Sequence, residues 1–359
     1  MPSIARSAPE RKVVVGVDTH KHLHVAVALD GLGARIAERT VSADTGGYLE
    51  LEEWARRLGR IVAFGIEGTG SYGAGLTSHL RRQGHRIIEV NRADRRARRE
   101  AGKSDTLDAE LAARAVLSGQ ASATPKSADG ACEMLRQVKI VRDTAVKSRT
   151  QAIITLKALV VNAPAELREQ LERLGDRGLI ERCAGLRPGP ITSPLASVKY
   201  ALRAIARRWP DLASEIAGHD QILERLTTQE APSLRQAFGI GPDTAAEMLI
   251  VFGDNPHRIR SEAAFAKLCG ASPIPASSGM TTRHRLSRGG HRQANSALYR
   301  VVIVRVRFHQ PTIEYVARRS AEGLSKRDII RCLKRFLARE IYQHVMTDHP
   351  RPEAAPAIS

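Results

Sequence analysis

The chain has 359 residues, 42% of them hydrophobic, which suffices for two or three domains with ordinary cores. Lysine and arginine number 56 against 38 aspartate and glutamate, and the net charge of +18 calls for a polyanionic partner, nucleic acid first and an anionic membrane second. No apolar run approaches the roughly 18 residues of a membrane span, MPSIARSAPERK carries no apolar signal region, and Cys132, Cys183, Cys269 and Cys332 lack paired metal spacing, so a reduced cytoplasmic protein is expected.

Residues 12–125 alternate strand-like and helix-like segments, the pattern of an α/β domain. Val13–Val17 is almost wholly apolar, so a strand buried on both faces is expected there. It ends in Asp18, a carboxylate that is costly at such a place unless a cation pairs it. Val25–Leu29 reads as a second strand and Tyr48–Leu58 as a helix. Ile61–Ile66 is a buried strand ending at Glu67, followed by the Gly-rich turn GTGSYGAG and a helix over Leu76–Gln83. Arg86–Val90 is a short strand, and Asp105–Ser118 a helix whose first turn carries Asp105 and Asp108 on one face.

Asp18 alone suits a turn, Glu67 a surface position, and Asp105 a helix N-cap with Asp108 favourable in the first turn. Together, two strand-end carboxylates and a helix-borne pair can converge above a sheet edge. Such carboxylates repel one another and share a site only with cations, for which Mg²⁺ is the natural choice. Metal ions so held can clamp the attacking and leaving oxygens of a phosphodiester. From Arg81 to Lys103 the chain holds nine basic residues and three acids. Arg92, Arg95, Arg96, Arg98, Arg99 and Lys103 lead into Asp105 and are candidate phosphate contacts.

Between residues 130 and 230, Met134, Val138, Val141, Ala145, Ala152, Leu156 and Leu159 recur at helical spacing. A second stripe runs from Leu195 to Leu226, with the Pro- and Gly-containing GLRPGPITSP between. Two long helices are expected, antiparallel in the simplest reading, acting as a spacer or a dimer interface. Residues 234–345 read as a third, mostly helical unit. Gly239-Ile240-Gly241 sits between helical patterns, as in a helix-hairpin-helix whose turn offers backbone N–H groups to a phosphate.

From Glu262 to Glu314 no acid intervenes, whereas Lys267 and seven arginines do: Arg283, Arg285, Arg288, Arg292, Arg300, Arg305 and Arg307. Aromatics make up 4% of the chain, so backbone and phosphate contacts rather than base stacking should dominate binding. Within the field, Ser277 and Ser278 precede Gly279, a sequence that ordinarily marks a turn. A hydroxyl nucleophile needs activation, and arginines stabilise the charge of a phosphoryl-transfer transition state. His284 and His291 suit phosphate or backbone contacts better than a general base.

GVDTHK (16–21), GIEGTGSYG (65–73), KSDTLDAELAAR (103–114) and the SSG loop followed by RHRLSRGGHRQAN occur in this order. In them the chain resembles the DEDD-type insertion-sequence transposases, bridge-RNA-guided serine recombinases, over roughly residues 12–345. The resemblance implies an RNase H-like, RuvC-related domain over 12–125, in which Asp18, Glu67, Asp105 and Asp108 form the Mg²⁺-binding tetrad. It implies a coiled coil over 126–230 that supports dimers or tetramers, and a C-terminal transposase domain over 231–345. Residues 1–11 and 346–359 are then flexible ends.

Ser278, with Ser277 as the second choice, corresponds to the family's catalytic serine, which forms a phosphoserine link to DNA. An element-encoded RNA would pair with donor and target DNA, in the bacterial cytoplasm and at the nucleoid. The rival readings are a RuvC-like nuclease or junction resolvase that uses water, and a non-enzymatic nucleic-acid-binding protein. A membrane-surface protein is remote, since no basic amphipathic anchor stands out.

Overall fold

The computed structural model describes residues 11–90, 104–277, 279–280, 284–285, 287 and 289–350. The chain divides into two compact units, Met1–Ser127 and Ala128–Ser359.

The first unit is built on five strands, β1 (Lys12–Thr19), β2 (Leu23–Asp30), β3 (Arg35–Ser42), β4 (Arg60–Glu67) and β5 (Ile87–Val90), in the order β3-β2-β1-β4-β5. The first three form an antiparallel meander, while β4 and β5 run parallel to β1. Helices α1 (Thr45–Leu58) and α2 (Ala74–Arg82) cover one face, where Leu51, Ala55, Leu76 and Leu80 pack on Val13, Val15, Val17, Phe64 and Ile66. Helix α3 (Asp105–Leu117) covers the other, setting Ala109 and Ala113 against Val14, Val25, Val27 and Leu29. Coverage of both faces is why β1 reads as an unbroken apolar run.

Two glycines set how close α3 comes. A methyl group on Gly16 would lie 2.0 Å from the Ala109 carbonyl oxygen, and one on Gly65 would lie 2.6 Å from Val116 Cγ2. The backbone of α3 therefore rests directly on β1 and β4.

Strand β3 is not foreseen by the sequence reading. Of its eight residues only Val41 is buried, and Arg35, Glu38 and Arg39 point to solvent. It is an edge strand, and the charges that protect such an edge also hide its periodicity. Between α1 and α2 lies a buried ionic knot: the Glu52 carboxylate meets His79 Nε2 at 3.1 Å, His85 Nε2 at 2.9 Å and Arg56 Nη2 at 2.6 Å. Burial pushes the Glu52 carboxyl up, but hydrogen bonds from His85, Arg56 and His79 outweigh it and hold the group below the ordinary glutamate range.

The second unit is helical. Helices α4 (Ala131–Val161) and α7 (Pro194–Glu230) run antiparallel, for Leu156 shares a core with Leu202 and Ala206, and Cys132 and Leu135 share another with Leu223 and Leu226. The short helices α5 (Ala165–Leu171) and α6 (Asp176–Ala184) close one end through Leu167, Leu171, Leu179 and Ile180. The expected seam holds at Ala145, Ala152 and Leu156, but Met134 and Val141 are half-exposed, and Leu135 and Lys139 take the interior.

The cause is ionic. The Lys139 ammonium is buried against Asp243 at 2.7 Å, Asp143 at 3.3 Å and Glu247 at 3.6 Å. On this side the first turns of α4 face the helix that carries Asp243.

The remaining core joins α8 (Pro232–Gln236), α9 (Pro242–Phe252), α10 (Glu262–Leu268), α11 (Arg292–Phe308), α12 (Gln310–Ala321) and α13 (Lys326–Asp348), with Phe252 stacked on Phe265 at 4.4 Å. A two-residue hairpin, β6 (Ile274–Pro275) and β7 (His284–Arg285), interrupts the helices. Helix α13 continues past residue 345 into the expected tail. Among the described residues no helix is long and apolar enough to cross a membrane.

Gly16→Ala must lift α3 from the sheet and should cost about 1–3 kcal/mol, read as a lower urea midpoint. Gly218→Ala, on α7 with open space around it, should stabilise by about 0.5–1 kcal/mol. Because the Glu52 carboxyl is depressed in the folded state, its stabilisation is complete above the ordinary glutamate pKa and is lost as pH falls through the folded value. Glu52→Gln should therefore destabilise the chain near neutral pH and flatten its acid unfolding curve, as measured by circular dichroism.

Candidate active site

Asp18 closes β1 on the face that Gly16 presents to α3, since residues two apart share a face. The parallel register pairs Val17 with Ile66, so the next residues, Asp18 and Glu67, stand side by side at the ends of adjacent strands. Thr19 ties the two strand ends together, its hydroxyl donating to the Glu67 carbonyl at 2.8 Å. Helix α3 begins at the same edge. The close contact at Gly16 sets its N-terminus, with half-exposed Asp105 and buried Asp108, over Asp18. Both acids also complement the positive end of the helix.

The Asp18 side chain is 12% exposed. Burial raises its pKa; His20 opposes the rise, and Asp108 and Asp105 add to it by repulsion. A carboxylate held up by desolvation and like charge is one that needs a cation. His20 follows in the β1–β2 turn. Its Nε2 lies 3.2 Å from Asp18 Oδ2 and 3.3 Å from Asp105 Oδ2. These are ion-pair distances, yet Nε2 is shielded from solvent without an aligned hydrogen bond among the described residues.

The donor atoms of Asp18, His20 and Asp105 all lie within 4.8 Å of one another, a group able to hold a metal ion. A ring nitrogen within 3.3 Å of two carboxylates, one of them desolvated, fits a divalent cation. A bound metal would be held by Asp18, Asp105 and His20 and would supply Lewis-acid stabilisation to a phosphoryl oxygen.

A family model for DEDD-type IS110 transposases matches residues 15–163, and a second, Transposase IS116/IS110/IS902 family, matches residues 231–317. The chain belongs to the IS110 family of DEDD transposases. No curated protein matches it. As a transposase it is a DNA-processing enzyme, and DNA is its partner.

The transposase thus brings Asp18, Asp105 and Asp108 together, with Glu67 at the same sheet edge. His20 is a residue that sequence reasoning missed, although GVDTHK contains it. The signal was its place two residues after Asp18, at the first position of the tight turn. Arg92, Arg95, Arg96, Arg98, Arg99 and Lys103 lie outside the described residues, as do Ser278, Arg283 and Arg288.

In the second unit Ser277, Arg285 and Arg292 are exposed. Gly239 adopts a left-handed φ of 79° and Gly241 caps α9. Pro242, next to it, withholds one N–H from that helix end. Asp243 in the first turn is engaged by Lys139, Arg142 and Arg300. His291 caps α11, its Nδ1 accepting from Ala294 N at 3.3 Å.

Divalent metal should raise the thermal midpoint of the transposase, and Asp18→Asn should abolish that rise. Because the folded environment disfavours the charged form of Asp18, the same variant without metal should unfold no lower than the parent chain. Differential scanning fluorimetry with EDTA and with Mn²⁺ checks both outcomes.

Proposed function

We propose that this transposase moves DNA by a metal-dependent, phosphoserine-linked strand exchange guided by an element-encoded RNA. The observation that carries the catalytic part is the convergence of Asp105, Asp108 and His20 on Asp18, on a sheet with the order 3-2-1-4-5. That order, with an antiparallel meander followed by two parallel strands, supports an RNase H-like, RuvC-related reading of the first unit. The hard oxygen donors favour Mg²⁺, with Glu67 as a further ligand. The basic run that holds Arg92, Arg95, Arg96, Arg99 and Lys103 would hold phosphates near these acids, and Arg283, Arg285, Arg288 and Arg292 would do so near the serine. The Gly239–Gly241 turn adds backbone N–H donors.

In this reading the first unit provides the acidic centre and the second provides the nucleophile, Ser278 or failing that Ser277. The serine oxygen bonds to phosphorus and the bond from phosphorus to a deoxyribose oxygen breaks. The serine proton passes to solvent, and the freed sugar oxygen takes one up. Attack by the sugar hydroxyl of an exchanged strand reverses the step, so no energy input is needed. The flanking arginines stabilise the charge of the transition state.

The antiparallel α4–α7 pair leaves Met134, Ile140, Val141 and Ile154 half-exposed. This supports a coiled-coil contact between copies, giving a dimer or tetramer. The guide RNA, and a site of action in the bacterial cytoplasm, rest on the family resemblance.

The rival is a RuvC-like nuclease or resolvase that uses water. Denaturing gels of reactions on element-end DNA separate the two. The phosphoserine reading expects a protein–DNA adduct that Ser278→Ala or Ser277→Ala removes, and Asp18→Ala should lower cleavage by at least about a hundredfold. Cleavage without any adduct, unaffected by either serine change, would establish the hydrolytic enzyme instead.

A further inference from the structure

The second unit contains a cavity of about 630 Å³ that none of the residues discussed so far explains. Its walls come from two places. One is the pair of segments flanking the Ser277–Ser278 loop, namely Gly270–Pro273 and His284, Arg285 and Ser287. The other is the end of α12 and the first half of α13, with Arg319, Arg331, Lys334 and Arg335. The α12 and α13 residues lie beyond residue 317, where the family match ends. Among the described residues five cationic side chains line the cavity, and the lining carboxylate, Asp328, is bound to Arg331.

Lys334 is the residue that gives this cavity a direction. It is 6% exposed. Its Nζ donates to Asn295 Oδ1 at 2.6 Å. The orientation of that amide is fixed, because Asn295 Nδ2 donates to the carbonyls of Cys269 and Gly270 at 2.8 and 3.0 Å. Among the described residues Lys334 has no carboxylate partner, whereas the equally buried Lys139 has three within 4 Å. A buried ammonium without a counter-ion is costly. Burial accordingly pulls its pKa below the ordinary lysine range.

Two more donors are unused. Arg335 Nη1 and Arg319 Nε are shielded from solvent with no hydrogen-bond partner among the described residues. Arg319 and Arg335 hold Glu322 and Glu262 through other nitrogens, so among the described residues the cavity's cations without a carboxylate are Lys334 and Arg285, with these two N–H donors beside them. Its volume accommodates a nucleotide unit, and Leu324 and Phe336 give it an apolar wall for the sugar.

We propose that this cavity binds a phosphodiester of a DNA strand, with Lys334 as the buried anchor and Arg285, Arg331 and Arg335 as the surrounding donors. The site rests on the reading that the adjoining serine segment acts on DNA, and it gives that segment a fixed place for the strand. Lys334 acts here as a positioning residue, since the phosphate it holds lies against Pro273 and Arg285, which bracket the serines in sequence.

The test is equilibrium binding of the full chain to a fluorescein-labelled single-stranded DNA oligonucleotide, in EDTA, across a salt series, with an RNA of the same sequence as a second arm. Lys334→Gln should weaken DNA binding about tenfold at physiological salt and reduce the slope of log affinity against log salt by about 0.7, the value of one lost phosphate contact. The rim double variant Arg285→Gln with Arg331→Gln should do at least as much, and it decides the matter if Lys334→Gln does not fold. Arg177→Gln, an exposed cation on α6 far along the chain, should leave the slope unchanged.

DNA binding by the folded variants equal to that of the parent chain would overturn the proposal. So would an equal loss in Arg177→Gln, or a loss confined to the RNA. No bond is made or broken in EDTA, so the absence of a phosphoserine adduct and the absence of this site are separate results.

Discussion

The contact between the backbone of α3 and the strands beneath it governs the first unit. Gly16 and Gly65 remove the side chains that would hold the helix away, and Ala109, Ala112 and Ala113 do the same from the helix side. A helix seated at that depth delivers its first turn to the strand ends. Asp105 and Asp108 then fall beside Asp18, and their charges add to the burial that raises its pKa. The small residues are thus as much a part of the centre as the acids are. They set the separation on which the need for a cation depends.

Much of this was legible in the chain. The apolar run before Asp18, the strand ending at Glu67 and the spacing of Asp105 and Asp108 each carry a local signature, because one strand or one helical turn produces them. What escaped was set by contacts between distant segments. His20 looks like an ordinary turn residue until α3 brings Asp105 to within 3.3 Å. Strand β3 exists because β2 offers it an edge, not because RIAERTVS alternates. Met134 and Val141 fit the helical stripe, yet the Asp243 carboxylate draws Lys139 inward and turns them out.

Lys334 shows the same limit more sharply. Within KRDIIRCLKRFLARE it is one basic residue among several on an amphipathic helix, and periodicity gives no reason to single it out. Its environment does: an amide whose orientation is fixed from the other side, a cavity, and no carboxylate at ion-pair distance among the described residues. Net charge predicted that the chain meets a polyanion, but it could not say where, since many of the described cations are spent on intramolecular pairs. Arg142, Arg235 and Arg305 each hold a carboxylate. The informative cations are the few whose electrostatic needs the chain leaves unmet.

The two units can be compared on this footing. In the first, Asp18 is desolvated beside Asp105, Asp108 and His20. In the second, the buried Lys334 ammonium faces a cavity and has no carboxylate partner among the described residues. Neither a desolvated carboxylate nor a buried ammonium is favourable in isolation. Each becomes favourable when the missing ion arrives, a metal in one case and a phosphodiester in the other. An enzyme that transfers phosphoryl groups needs both, for the metal polarises the reacting phosphate while fixed cations hold the strand that carries it. The stability given up at the two sites is recovered on binding, so the DNA that the transposase acts on also completes its electrostatics.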